Sequence, residues 1–250
     1  MERVGNEVVE EIGNVNMFSD EEELKLGLNF HSFYIQDQKI YNDPIVENYI
    51  NTLGQTLVRY SNRRNIRYTF TVIDTNIVNA YAAPGGYIYI NIGLIRKANT
   101  ESQLASVIGH EIGHVVGRHG MKQMTQRYGV DYLKETILGK DTAKVSNEIY
   151  KIATDLLLLR YSREHERYAD SIGVQILYDA GINPQGAVQF WEIMQGMGKR
   201  EYTTVEKMLS THPIHSERIE YISSQINTLP KKQGLRSNST EFQRVKQRIR

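Results

Sequence analysis

His110 and His114 stand four residues apart with Glu111 between them, in the run His110-Glu111-Ile112-Gly113-His114. On a helix both imidazoles leave one face a turn apart, where they can share a metal ion. Glu111 then sits beside a water activated by that metal, able to accept its proton and pass it on. Residue types and spacing point to metal-assisted hydrolysis. A pair of satisfied core histidines would read the same, so the flanking residues have to support the helix. Thr100 and Gln103 have capping-box spacing, Glu101 suits the positive end of a helix dipole, and Leu104, Val107 and Ile108 repeat at helical spacing. The pattern predicts a mostly buried helix over about 101–117, with Gly117 and Gly120 offering stops.

A catalytic zinc takes three protein ligands and leaves one position open. A third histidine six residues after His114 would complete a metzincin, but that position is Gly120, and His119 falls one residue early, suiting a surface or outer-sphere role. Asn147-Glu148 resembles the thermolysin type, which needs an acid one turn on, where Ile152 stands. Glu166 and Asp170 stand at i and i+4 in Ser162-Arg163-Glu164-His165-Glu166-Arg167-Tyr168-Ala169-Asp170. That spacing suits Glu166 as a ligand, with Asp170 accepting the far N–H of a ligand histidine. Ala169 and Gly173 are small enough for two helices to close on a metal. A solvated charged face would show the same run.

Four ordered motifs together resemble peptidase family M48, the zinc metalloendopeptidases that include the CAAX prenyl proteases, the HtpX and OMA-type quality-control proteases and a soluble periplasmic branch. They are Asn79-Ala80-Tyr81-Ala82-Ala83-Pro84-Gly85-Gly86-Tyr87-Ile88, the H-E-x-x-H run, Glu166-Arg167-Tyr168-Ala169-Asp170-Ser171-Ile172-Gly173, and Thr211-His212-Pro213 with Arg218. The resemblance spans about residues 20–228. It implies an α+β, mostly helical gluzincin-type fold with a small β-sheet next to the active-site helix. It further implies one zinc held by His110, His114 and Glu166, with Glu111 as catalytic acid and base.

Two of these motifs also carry readings of their own. Tyr87 to Ile92 alternates aromatic and β-branched residues, and Pro84-Gly85-Gly86 can turn into it from a strand over 79–82. A strand beside a zinc cleft can pair with an extended peptide, which makes Asn79, Ala80, Tyr87 and Tyr89 candidate substrate-binding residues, the exposed strand of the two being left open. His212 is kept out of a helix by Pro213, and Ile214 to Ile226 reads as one, with Ile219, Ile222 and Ile226 on one face. His212 and Arg218, with the spacing of the family's H-P…R pair, are candidates to stabilise the oxyanion. His212 could instead fill the open metal position and hold the enzyme latent.

Around the site, Ser19 with Glu22 opens a helix to about 38 and Asn42-Asp43-Pro44 another to about 61. A strand is expected over 66–73. Residues 121–160 read as helical with a break near Gly139-Lys140-Asp141, positioned to cover the cleft. Asn183-Pro184 caps a further helix, with Ala187, Trp191 and Met194 as packing residues. The predicted division is an N-terminal extension over 1–18, a peptidase domain over 19–229 and a basic tail over 230–250. In that tail Phe242, Val245 and Ile249 share a helical face, fitting either an amphipathic docking helix or a frayed end.

The chain of 250 residues is 40% apolar, enough for one domain with a sizeable core. A net charge of +1 argues against nucleic acid as a general partner. Cysteine is absent, which excludes thiolate ligands and disulfides and is compatible with an oxidising envelope compartment. The Leu156–Leu159 run is too short to span a membrane, and Met1-Glu2-Arg3 does not open a signal peptide. The resemblance places the chain with periplasmic or cell-envelope members, leaving open a peripheral membrane or envelope-complex association. The expected activity is zinc-dependent cleavage of extended or unfolded polypeptides in envelope protein quality control. The other class is a chaperone-like binder with a latent or structural metal. Two imidazoles and a carboxylate also suit iron, cobalt or manganese.

Overall fold

Local caps start the framework where the sequence places them. The Ser19 hydroxyl accepts from the Glu22 N–H while the Glu22 carboxylate accepts from the Ser19 N–H, opening α1 (Asp20–Tyr34). Asp43 accepts from the N–H groups of Ile45 and Val46, and Pro44 occupies the first turn of α2 (Pro44–Val58). Both helices end short of the expected 38 and 61, because the next residues bond three back, as in Asp37 to Tyr34 and Ser61 to Val58. The computed structural model describes residues 17–138, 148, 151–152, 155, 160–196, 208, 210–213 and 216–249.

Three strands follow: β1 (Thr69–Ile73), β2 (Ala80–Ala83) and β3 (Tyr87–Asn91), in the order β1-β3-β2. The central β3 runs parallel to β1 and antiparallel to β2. Between β2 and β3 the chain turns at Pro84–Gly86, with Gly85 at φ 75° and Gly86 at φ 85°. These left-handed values call for glycine, and a Cβ on Gly86 would lie 2.6 Å from the Arg67 carbonyl oxygen.

The order of the remaining helices is α3 (Ile92–Lys97), α4 (Glu101–Val116), α5 (His119–Tyr128), α6 (Val130–Leu138), α7 (Arg163–Asp179), α8 (Gln185–Gln195), α9 (Ser216–Thr228) and α10 (Thr240–Arg248). Two cores flank the sheet. On one face Ala80, Ala82, Ile88 and Ile90 pack with residues of α2, α4, α7 and α8. On the other, Tyr89 packs with Phe30 of α1, Met121 and Met124 of α5, and Leu133 of α6. Instead of one helical run from 121, α5 and α6 are divided at Gly129, whose φ is 79°, and α6 packs on α1. The break expected at 139–141 and the Leu156–Leu159 run lie outside the described residues, as do residues 1–16 of the expected extension.

The basic tail does not fray. Phe242, Val245 and Ile249 form the expected apolar face, at most 2% exposed, and α10 docks on α2 within the main core. Arg236 meets the buried Glu101 carboxylate at 2.7 Å, and Ser239 and Tyr49 donate to the same group at the start of α4. The apolar face of α10, beyond the predicted boundary at 229, thus packs into the same core as α2. Among the described residues no helix is long and apolar enough to cross a membrane.

Candidate metal centre

Helices α4 and α7 cross at small residues. A Cβ on Gly113 would lie 2.6 Å from the Ala169 carbonyl oxygen, and one on Gly173 would lie 3.0 Å from the His110 nitrogen. Mid-helix glycines cost about 1 kcal/mol each relative to alanine, so Gly109 and Gly113 make sense where backbones must touch. That contact puts His110 and His114 of α4 directly against Glu166 and Asp170 of α7.

The imidazole Nε2 atoms of His110 and His114 lie 3.0 Å apart. Glu166 Oε1 is 3.3 Å from His114 Nε2, and Glu166 Oε2 is 3.5 Å from His110 Nε2. His212 completes the group, with Nδ1 3.3 Å from His110 Nε2 and 2.9 Å from Glu166 Oε1. A tetrahedral ion with bonds of about 2.0–2.1 Å has donor–donor edges of roughly 3.3 Å, and these separations, which run from 2.9 to 3.5 Å and use both Glu166 oxygens, bracket that value. All four residues are buried, and they are the group among the described residues that could hold a metal. Glu164 is exposed and Glu148 is occupied by Tyr132, so neither competes with Glu166.

Outer partners orient three of the four donors. Asp170 Oδ1 lies 2.8 Å from His110 Nδ1 and so receives its N–H, which turns the Nε2 lone pair toward the cluster. His114 Nδ1 lies 2.9 Å from His119 Nδ1. Arg218 closes the back of the site. It meets Asp170 through Nε at 2.7 Å and Nη2 at 2.8 Å, and Glu166 Oε2 through Nη1 at 2.6 Å, with the Trp191 ring 3.9 Å beneath it.

Burial opposes ionisation of Glu166, but the His212, Arg218 and His110 charges outweigh it and hold the carboxyl well below its usual range. Asp170 is lowered in the same way, chiefly by Arg218 against burial. Burial pushes His114 down to about 3, keeping its imidazole neutral as a ligand must be.

Glu111 is fully buried, and burial raises its pKa against the opposing His212 and His110 charges. Neither of its oxygens makes a well-formed hydrogen bond among the described residues, the Ala82 main chain only approaching it, and neither does His212 Nε2, 3.7 Å from Glu111 Oε1. Buried polar atoms rarely go without partners, so these orphans beside a tetrahedral donor set fit a metal and the reactants it would bring.

The substrate-side residues divide. Asn79 and Ala80 lead into β2, an outer strand that packs on α4 and whose Ala82 and Ala83 line a small cavity with His114 and Tyr161. Tyr87 and Tyr89 sit in β3, paired on both sides, so their main chain has nothing to offer a substrate strand. Their rings instead pack around His31, whose Nδ1 lies 2.9 Å from the Tyr89 hydroxyl. Two residues near the candidate metal site had no role there in the sequence reading: Tyr161 stacks on His114 with ring centroids 3.9 Å apart, and Trp191, read as packing, also supports Arg218. His119 is buried against His114, the outer-sphere position of the two its spacing left open. A third histidine so soon after H-E-x-x-H was the available signal for His119.

Sequence comparison meets this geometry independently. The sequence model of Peptidase family M48 matches residues 44–226. The chain belongs to peptidase family M48. It is 30% identical over 199 residues to the beta-barrel assembly-enhancing protease of Escherichia coli (strain K12), an alignment covering 76% of this chain and 41% of that protein. It is also 30% identical over 163 residues to the mitochondrial metalloendopeptidase OMA1 of Arabidopsis thaliana, covering 65% of this chain and 32% of that protein. The bovine mitochondrial metalloendopeptidase OMA1 is 28% identical over 167 residues, with 63% and 32% covered. The chain thus spans about two fifths or less of the length of these relatives.

Proposed function

We propose that this chain is a zinc metalloendopeptidase that hydrolyses extended or unfolded polypeptides. The observation that carries the reading is Glu111, a fully buried carboxylate that approaches only the Ala82 main chain closely enough for a backbone hydrogen bond, beside a buried four-donor cluster. His110, His114 and Glu166 hold the ion, and three neutral or anionic N and O donors suit zinc. A zinc ion held there would supply Lewis-acid polarisation of the scissile carbonyl and of a bound water. Glu111 would accept the proton of that water and pass it to the departing amine. β2 holds the substrate by main-chain pairing, independent of side-chain sequence, which suits unfolded chains.

Arg218 acts as a positioning residue. Its guanidinium is directed to Glu166 and Asp170, so it fixes the ligand carboxylate rather than reaching toward an oxyanion. His212 occupies the fourth corner of the site in the resting enzyme and must move before substrate binds there. Envelope protein quality control, with periplasmic or peripheral envelope location, is the setting consistent with a relative named for enhancing beta-barrel assembly. The test is cleavage of casein by the zinc-loaded wild type and by Glu111→Gln at equal metal content. Loss of cleavage in the variant is expected; equal rates would reject the mechanism and favour a polypeptide-binding role.

A further inference from the structure

A groove lies at the opposite end of the sheet from β2, and none of its lining residues belongs to the candidate metal site. The outer edge of β1 and an exposed face of α2 enclose about 940 Å³. That edge is only half covered. The Tyr41 N–H donates to Val72 O, the Asp74 N–H donates to Lys39 O, and Ile40 pairs antiparallel with Ile73. Main-chain groups alternate in direction along a strand, so the outward Val72 carbonyl places the N–H and C=O of Phe70 outward as well. Phe70 has no partner there among the described residues, while the next outward carbonyl, of Tyr68, accepts from the Gln55 side chain at 3.0 Å. An unpaired edge beside a groove is a template for another strand.

Charge selects the strand. Arg59, Arg64 and Arg67 are exposed on the groove walls, and none has a carboxylate partner among the described residues, Arg64 donating only to the Arg59 carbonyl. The carboxylate in the lining, Glu47, stands twelve residues before Arg59 on α2, about 18 Å away along the helix. A phosphate backbone supplies acceptors alone and would leave the Phe70 carbonyl unmatched, whereas a polypeptide supplies both donor and acceptor. We propose that this groove docks an extended polypeptide carrying carboxylates, as an added strand on β1 with its acidic end at Arg59, Arg64 and Arg67. It is a second polypeptide site, separate from the β2 edge at the metal, and it stands whether or not the metal site is a peptidase.

The test uses the full chain carrying Glu111→Gln, so that the probe stays intact, and a fluorescent ten-residue peptide alternating valine and glutamate. Binding should weaken about tenfold or more when Arg59, Arg64 and Arg67 are all replaced by Glu, since three exposed ion pairs turn from attraction to repulsion. Binding should also be lost when alternate peptide amides are N-methylated, and a valine–lysine peptide should not bind. A hydroxamate filling the metal cleft should leave binding unchanged. Displacement by the hydroxamate, or indifference to the arginine reversal or to N-methylation, overturns the proposal. So does a dimer that dissociates on the same reversal, which assigns the groove to a second copy. Tighter peptide binding in a Glu7→Gln, Glu10→Gln, Glu11→Gln variant overturns it too, by assigning the groove to the chain's own first residues.

Discussion

The helix-borne part of the metal site and the part contributed by the 208–213 segment are built differently. His110, His114 and Glu166 stand on α4 and α7, whose backbones touch at Gly113 and Ala169, and each has an outer partner in Asp170, His119 and Arg218 respectively. His212 sits between a turn, where its N–H donates to Met208 O at 2.7 Å, and Pro213, which bars it from continuing as helix. Its Nδ1 faces Glu166, but its Nε2 has no hydrogen-bond partner among the described residues. Ligands that must stay are braced by outer hydrogen bonds, as His110 and His114 are, or by an ion pair, as Glu166 is by Arg218, and a ligand that must leave is better without either. On the proposed reading, three donors stay and the fourth exchanges.

That contrast can be broken in graded steps. Glu166→Ala removes a permanent donor and leaves Arg218 buried beside one carboxylate fewer, so metal content and peptidase activity should both fall to background; zinc retained at one per chain would show that the ligand lies elsewhere. Glu111→Gln should keep the metal while lowering turnover by about 10²–10⁴-fold, read as activity at matched zinc content. Asp170→Asn, which exchanges an acceptor for a weaker one at His110 Nδ1, should reduce zinc affinity by about 10–100-fold in a chelator competition. Unchanged affinity would mean that α4 alone orients His110. His212→Ala should be the mildest, leaving affinity for zinc within about tenfold, because three braced donors suffice for a catalytic site.

Much of the permanent half was legible because its signals are local. The cap at Thr100 forms as expected, with its hydroxyl accepting from the Gln103 N–H, and the helical spacing of Leu104, Val107 and Ile108 buries α4 over Glu101–Val116. The i, i+4 pair Glu166 and Asp170 needed only the assumption of a second helix. What was missed depends on how helices cross. Trp191 has the spacing of a core residue, and nothing in α8 says that its face will meet Arg218 from α9. Likewise the apolar face of α10 was legible, but its destination against α2 rests on contacts such as Phe242 with Tyr49, between residues distant in sequence. The strand order β1-β3-β2 likewise removed Tyr87 and Tyr89 from the substrate edge, which the alternation of β3 alone could not show.

The division between permanent and exchangeable donors is tested most directly by measuring zinc per chain and casein cleavage together on His212→Ala. The account predicts one zinc retained and cleavage raised several-fold over wild type, because the fourth corner is vacated while Glu111 and the three braced donors remain. Zinc lost, or zinc retained with cleavage abolished, would contradict it: the first would make His212 a permanent ligand, the second a residue the reaction requires.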